Sequence, residues 1–110
     1  MISGVDGYIG KEISQLLSRK KKYKLFLLNN KKKNFFIHQD LTKPINLNIK
    51  PYAVIHCAAK HKFSKKKNDM KNIYSTNIRM TKNLINFCNE QSVKKLIFLS
   101  SVDVYGKIKE

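Results

Sequence analysis

Three of the four glycines in the chain, Gly4, Gly7 and Gly10, stand between a short apolar segment and the start of a helical pattern. In a GxxGxxG loop of this kind the first glycine permits a tight turn, the second lets a pyrophosphate approach the backbone, and the third lets helix and strand pack closely. The free N–H groups and the dipole at the start of the helix favour an anion there. The spacing therefore predicts a phosphate-binding turn, with a glycine turn that binds nothing as the alternative.

Asn77 is a second candidate, because it interrupts an apolar stripe. Ile73, Met80, Leu84 and Cys88 recur with it at steps of three and four, which is the spacing of one helical face. An amide on such a face costs stability unless it is hydrogen-bonded. Asn77 is therefore predicted to hold a hydrogen-bond partner beneath that helix.

The elements that must position these residues follow from hydrophobic periodicity. Ile9, Ile13, Leu16 and Leu17 predict an amphipathic helix from Ile9 to about Lys20. Short apolar runs predict strands at 25–28, 35–37, 53–59 and 96–99, and a longer helix is predicted over about 68–90.

Apolar strands alternating with helices indicate an α/β fold, a doubly wound parallel (Rossmann) sheet of about five strands in the order 3-2-1-4-5. Residues 1–110 are expected to form one domain. The first strand has only Met1 to Ser3 before the glycine loop, whereas strands usually have about five or six residues. The chain is therefore expected to be clipped or wrongly started at its N-terminus.

The charge is strongly basic, with 23 lysines and arginines against 7 acidic residues and a formal net charge of +16. Only Arg19 and Arg79 are arginines, although arginine is the side chain that reads guanine edges and grips phosphates bidentately. The clusters at 20–22, 31–33 and 65–67 are lysine alone. Solvated lysine is predicted and nucleic acid is not expected as a partner, with weak polyanion binding as the alternative.

Other function classes are not expected. No stretch approaches the roughly 20 apolar residues that cross a bilayer, and no signal peptide precedes the glycine loop. Cys57 and Cys88 belong to no metal-ligand spacing and are predicted to be small core thiols. A cytoplasmic protein without metal or membrane association is therefore expected.

At this point a resemblance becomes specific. Residues 3–10, SGVDGYIG, resemble the TGxxGFIG start of extended short-chain dehydrogenases, the family of NAD-dependent sugar-nucleotide epimerases and dehydratases. Four further segments follow in family order: 38–41 (like GDL), 54–59 (like VIHxAA), 77–81 (like NxxGT) and 99–106 (like SSxxVYG). The resemblance covers nearly the whole chain and implies NAD or NADP as cofactor and a nucleotide sugar as substrate.

The resemblance also implies roles for single residues. Asp40, beside Leu41, would accept from the adenine amino group, with an ordinary turn aspartate as the alternative. Asn77 would anchor the end of the fourth strand, where small side chains leave room for the cofactor. The cofactor-binding residues implied are Gly4, Gly7, Tyr8, Ile9, Gly10, Asn29, Asp40, Leu41, Cys57, Ala58, Ala59 and Asn77.

At the end of the second strand, many NAD-using members carry an aspartate for the ribose hydroxyls. This chain has Asn29 followed by lysines at 31–33, which removes repulsion toward a 2′-phosphate and makes NADP plausible. His61 stands near a position that faces the cofactor in the family, although its lysine neighbours indicate a solvated loop equally well.

The catalytic residues implied are Ser101, which would hydrogen-bond the sugar hydroxyl, and Asp103, which stands where dehydratases carry an acid. The family's YxxxK pair, expected a few tens of residues after VYG, is missing; Tyr105 and Lys109 have that spacing, but Tyr105 lies within VYG itself, where the family tyrosine is structural. We therefore expect a truncated nucleotide-binding part of an epimerase or dehydratase, inactive alone. A separate polypeptide would supply the C-terminal half. The alternatives are a non-catalytic dinucleotide-binding or regulatory module, and lysine-driven polyanion binding.

Overall fold

The computed structural model describes residues 1–61 and 67–101. Within these ranges the chain forms five strands and two helices. The strands are β1 (Ile2–Ser3), β2 (Leu27–Asn29), β3 (Ile37–His38), β4 (Ala53–His56) and β5 (Lys95–Phe98), and the helices are α1 (Tyr8–Arg19) and α2 (Lys67–Glu90).

All strand pairs are parallel, and the strand order is β3-β2-β1-β4-β5. The predicted α/β fold and strand order are confirmed. The connection from β1 to β2 and the connection from β4 to β5 run in opposite directions across the sheet. Because such crossovers are right-handed, α1 and α2 lie on opposite faces.

The short central strand is held on both sides. Ile2 is in register with Leu27 of β2 and with Ile55 of β4. The Ile2 N–H donates to Phe26 O at 2.8 Å, and the Ile55 N–H donates to Met1 O at 2.9 Å. Two residues are enough for β1 because hydrogen bonds from both neighbouring strands satisfy their backbone.

The core lies between the sheet and α2. Leu84, Phe87 and Cys88 of α2 pack in one cluster with Leu28 of β2 and Val54 of β4. Phe87 is 1% exposed, and burial of a side chain of this size stabilises the fold by about 1.5–3 kcal/mol. The apolar helical stripe predicted around Asn77 therefore faces the sheet, as its spacing requires.

Two predicted strands are displaced along the sequence. β2 begins at Leu27 and ends at Asn29, and β3 begins at Ile37. Phe35, expected in a strand, is 99% exposed in the left-handed region at φ 82°. Among the described residues, no helix stands between β2 and β4, and none was predicted there. The loop at 30–36 joins β2 to its neighbour β3, and the loop at 39–52 leads from β3 past β2 and β1 to β4.

The predicted apolar face of α1 is only partly buried, because Ile9 and Leu16 are 51% and 57% exposed. The helix packs on the sheet through Gly10 and Ser14, one turn apart, which are its buried residues. A glycine at this contact brings the helix backbone so close to the sheet that the larger apolar side chains flank the contact.

The edge strand β5 departs from the expectation of a covered sheet. All four of its residues are exposed, including Leu96, Ile97 and Phe98 at 41–54%. In the part of the chain that the structure describes, no helix is long and apolar enough to cross a membrane.

Candidate functional site

A cleft of about 520 Å³ opens at the carboxyl ends of the strands. It lies beside β1, from which the chain winds to β2 on one side, while β4 lies on the other. Open parallel sheets bind ligands at such a topological switch point. Eight of the residues predicted to bind a cofactor line this cleft: Gly4, Gly7, Asn29, Asp40, Leu41, Cys57, Ala58 and Ala59.

The glycine loop joins β1 to α1 by a tight turn, in which the Gly7 N–H donates to Gly4 O at 3.0 Å. Gly4 has φ 75°, which a residue with a side chain rarely adopts. A Cβ on Gly4 would lie 2.6 Å from the backbone nitrogen of Ala58, and a Cβ on Gly10 would overlap the Gly4 carbonyl. Glycine is therefore required at both positions by the fold itself.

Gly7 differs from the other two loop glycines. A Cβ there would meet only Gly4 O, at 3.3 Å, and Gly7 lines the cleft. It is the N-cap of α1 and has no side-chain capping bond. Since the first N–H groups of a helix have no partner within it, the start of α1 presents donors beside an open space.

Tyr8 and Ile9 are the first residues of α1, and their side chains are 85% and 51% exposed. Neither side chain lines the cleft, and Gly10 is buried beneath the turn. Their predicted cofactor role therefore rests on backbone N–H groups and not on side chains.

An ion pair lies beside the cleft, which Asp6 lines. Lys33 Nζ lies 2.6 Å from Asp6 Oδ1 and 2.7 Å from Oδ2. This contact, chiefly as a hydrogen bond from Lys33, lowers the pKa of Asp6. Sequence analysis did not single out Asp6, although an acid inside the glycine turn, with a lysine cluster further along the chain, was the available signal.

Asn29 stands at the end of β2 and is 5% exposed. Its Oδ1 accepts weakly from the Lys31 N–H at 3.4 Å. The Asn29 side chain contributes a little to the lowered pKa of Asp6. Its Nδ2, however, makes no hydrogen bond to any of the described residues. An unpaired buried donor on the wall of a cleft costs stability unless a ligand or water accepts from it.

Asp40 forms the turn that was the alternative interpretation. Its Oδ1 accepts from the Thr42 N–H at 2.9 Å and from the Thr42 hydroxyl at 2.7 Å, and these bonds lower the pKa of Asp40. Leu41 is 5% exposed, and its carbonyl accepts from Asn83 Nδ2 of α2 at 2.8 Å. Three hydrogen bonds thus hold the turn where adenine binding is predicted, and the two interpretations of Asp40 are compatible.

Asn77 holds the backbone that follows β4. Its Oδ1 accepts from the Lys60 N–H at 2.7 Å, and its Nδ2 donates to Lys60 O at 3.1 Å. The amide predicted to need a partner therefore has two. Asn77 does not line the cleft itself but holds Lys60, which lines it together with His61. Burial raises the pKa of the half-buried Cys57 thiol in the same wall.

A buried polar chain runs beneath the cleft. Ser3 Oγ lies 2.7 Å from His56 Nδ1, and His56 Nε2 lies 3.3 Å from Thr81 Oγ1. Ser3 and His56 are 0% and 2% exposed. Sequence analysis treated His56 only as a motif letter; a histidine inside an apolar strand was the signal that it needed partners.

Of the two predicted catalytic residues, the structure describes only Ser101. Ser101 follows β5, is exposed and does not line the cleft. Asp103 lies outside the described residues, as do Tyr105 and Lys109. Their predicted roles stay predictions.

A search for curated relatives of this chain found no match. The model of the NAD dependent epimerase/dehydratase family matches residues 1–110. That match covers the whole chain and agrees with the parallel sheet, its strand order and the glycine turn. The chain therefore belongs to the NAD-dependent epimerase/dehydratase family.

Proposed function

We propose that the cleft binds NAD(P), with the pyrophosphate at Gly7 and the start of α1. The open space at Gly7 carries this proposal, because Gly4 and Gly10 already have their space filled by backbone while Gly7 does not. An anion there accepts from the first N–H groups of α1 and gains from the helix dipole. The other predicted cofactor residues line or support the same cleft.

The adenosine half lies toward β2 and β3. Asp40 and Leu41 flank the adenine there, and Asn29 meets the adenine ribose. Because Asn29 Nδ2 is an unpaired donor and the amide carries no negative charge, it can donate to an oxygen of the ribose hydroxyls or of a 2′-phosphate. Lys33, although paired with Asp6, supplies an ammonium group for which a 2′-phosphate can compete. NADP should therefore bind at least as well as NAD.

Calorimetric titration of the chain with NADPH and with NADH tests this function. We expect saturable binding of both, and partial competition by ADP-ribose, which carries the adenosine and pyrophosphate without nicotinamide. Absence of binding by either dinucleotide would contradict the proposal. A clear preference for NADH would contradict the assignment of Asn29 and Lys33 alone.

The reaction that we propose is hydride transfer between the cofactor and a nucleotide sugar, as in an epimerase or a dehydratase. Ser101 would hold the sugar hydroxyl, and Asp103 would supply the acid. The YxxxK pair and the sugar site would come from a further polypeptide segment or a separate chain. The exposed apolar residues of β5, Leu96 to Phe98, support a docking place for it.

A non-catalytic dinucleotide-binding module is the second candidate, because the proposed cofactor cleft is lined entirely by residues before Met80 and by Met80 itself. Loss of the Ser101 hydroxyl should leave binding unchanged in either case. Turnover in the presence of a polypeptide that carries YxxxK distinguishes the two functions. Cys57 and Cys88 are free thiols, which suits the cytoplasm as the place of action.

A further inference from the structure

The imidazole of His56 joins three elements of the fold. Its register partner on β1 is Ser3, whose hydroxyl lies 2.7 Å from Nδ1. Its Nε2 lies 3.3 Å from the Thr81 hydroxyl of α2. On the third side the ring lies against Phe98 of β5, with 5.6 Å between the ring centroids. The ring is almost fully buried, so these contacts hold it in one orientation.

The hydrogen bonds that join Ser3, His56 and Thr81 have one consistent direction. The Thr81 hydroxyl donates its proton to Asn77 O at 3.0 Å and therefore accepts from His56 Nε2–H. In a neutral imidazole Nδ1 is then the acceptor, so the Ser3 hydroxyl donates to it. The side chains of Ser3, His56 and Thr81 are all hydrogen-bonded in this arrangement.

Both ends of the hydrogen-bonded row Ser3–His56–Thr81 lead to the proposed cofactor cleft. Ser3 precedes Gly4, the turn residue whose backbone packs against Ala58. At the other end, Thr81 holds the backbone of Asn77, and the Asn77 side chain holds both backbone groups of Lys60. One buried side chain thus connects the glycine turn with the segment that follows β4.

We propose that His56 is a positioning residue for the cofactor cleft. It sets the distance between the glycine turn and the Lys60 segment, although it does not itself line the cleft. This inference rests on the proposed function that the cleft binds NAD(P). It differs from a simple core role in one respect. Loss of either His56 hydrogen bond weakens cofactor binding more than does a substitution elsewhere in the core that destabilises the fold equally.

Two substitutions separate the two hydrogen bonds. His56→Asn places an amide oxygen where Nδ1 stands and keeps the bond from Ser3, but it is too short to reach Thr81. His56→Gln places an amide nitrogen where Nε2 stands and keeps the bond to Thr81, but it loses Ser3. Val54→Ala is the matched control, since Val54 lies on the same strand and face, is 0% exposed and stands outside the chain of hydrogen bonds.

The Kd of NADPH and the urea denaturation curve are measured for each variant. We expect both His56 variants to raise the Kd at least fivefold, while Val54→Ala stays within twofold despite an equal or larger loss of stability. In addition, the Lys60 amide should exchange its hydrogen faster in His56→Asn than in His56→Gln, with or without cofactor. His56 variants that bind like Val54→Ala, or equal Lys60 exchange in both, would overturn the inference.

Milder variants keep the test decisive if a His56 variant does not fold. Ser3→Ala and Thr81→Val each remove one bond and leave the ring in place. Because both act through the same ring, their effects on the Kd should not multiply in the double variant. Independent, multiplicative effects would overturn the role of His56, while failure of the unmodified chain to bind either dinucleotide would overturn the proposed function with it.

Discussion

Lys33 Nζ lies 2.6 Å from one carboxylate oxygen of Asp6 and 2.7 Å from the other, so a bidentate ion pair ties the glycine turn to the loop after β2. The two residues stand 27 positions apart in the sequence. The pair closes the rim of the cleft at the side where the adenine ribose is proposed to bind. Asp6 therefore competes with any ligand phosphate for the same ammonium group.

This competition predicts a gain of function. Asp6→Asn should lower the Kd of NADPH by about threefold to tenfold and change that of NADH less, because it frees Lys33 and removes a charge that repels phosphates. Lys33→Met should do the reverse, and the neighbouring Lys32→Met serves as the control for net charge. Binding is measured by calorimetry at low and at moderate salt. Equal changes for NADPH and NADH would contradict the role of Lys33 at a 2′-phosphate.

The glycine loop predicts two different kinds of failure. Gly7→Val should leave the fold intact and abolish dinucleotide binding, because its side chain fills the space proposed for the pyrophosphate. Gly10→Ala should unfold the chain, since its Cβ would overlap the Gly4 carbonyl. Circular dichroism and calorimetry together distinguish the two outcomes. A Gly7→Val protein with unchanged affinity would remove the glycine loop from the proposed site.

His56 predicts a dependence of stability on pH. Burial lowers its pKa below the ordinary value of 6.5, so the unfolded chain binds the proton more readily than the folded one. The contribution of His56 is therefore fully present above about pH 6.5 and is lost as the pH falls toward its folded pKa. Urea denaturation between pH 5 and 7 should show this loss, and His56→Gln should reduce it. Asp6 and Asp40, with lowered pKa values, titrate below that window. An unchanged slope in His56→Gln would contradict the assignment.

Residues 1–110 alone should show no measurable epimerase or dehydratase turnover. Ser101 can position a hydroxyl group but is far too weak a base to take its proton at neutral pH. General-base assistance typically contributes about 10²–10⁴ in rate. Positioning by a substrate site contributes roughly 7–11 kcal/mol more. Turnover is measured with nucleotide sugars and NAD(P), with and without a polypeptide carrying YxxxK. Robust turnover by the chain alone, abolished by Ser101→Ala, would contradict this prediction.

The order of the sheet and the place of its cleft were predictable from the sequence. Apolar runs separated by helical patterns determine a parallel sheet, because only helices on its faces bury such strands. The requirement that Asn77 be hydrogen-bonded also followed from local pattern alone, since an unpaired amide on an apolar helical face is costly. The glycine spacing located the turn for the same reason: few residues other than glycine tolerate φ 75°.

Only the tertiary structure decided which partners these residues have. Periodicity says that Ile9 and Leu16 share a helical face, but the close approach at Gly10 leaves both largely exposed. The Asp6–Lys33 pair and the chain from Ser3 through His56 to Thr81 join residues that are distant in sequence, and no local pattern encodes such pairings. They exist because parallel strands return to the same edge of the sheet and bring their ends together there. The sequence by itself determined the elements, and the packing of the sheet determined the contacts between them.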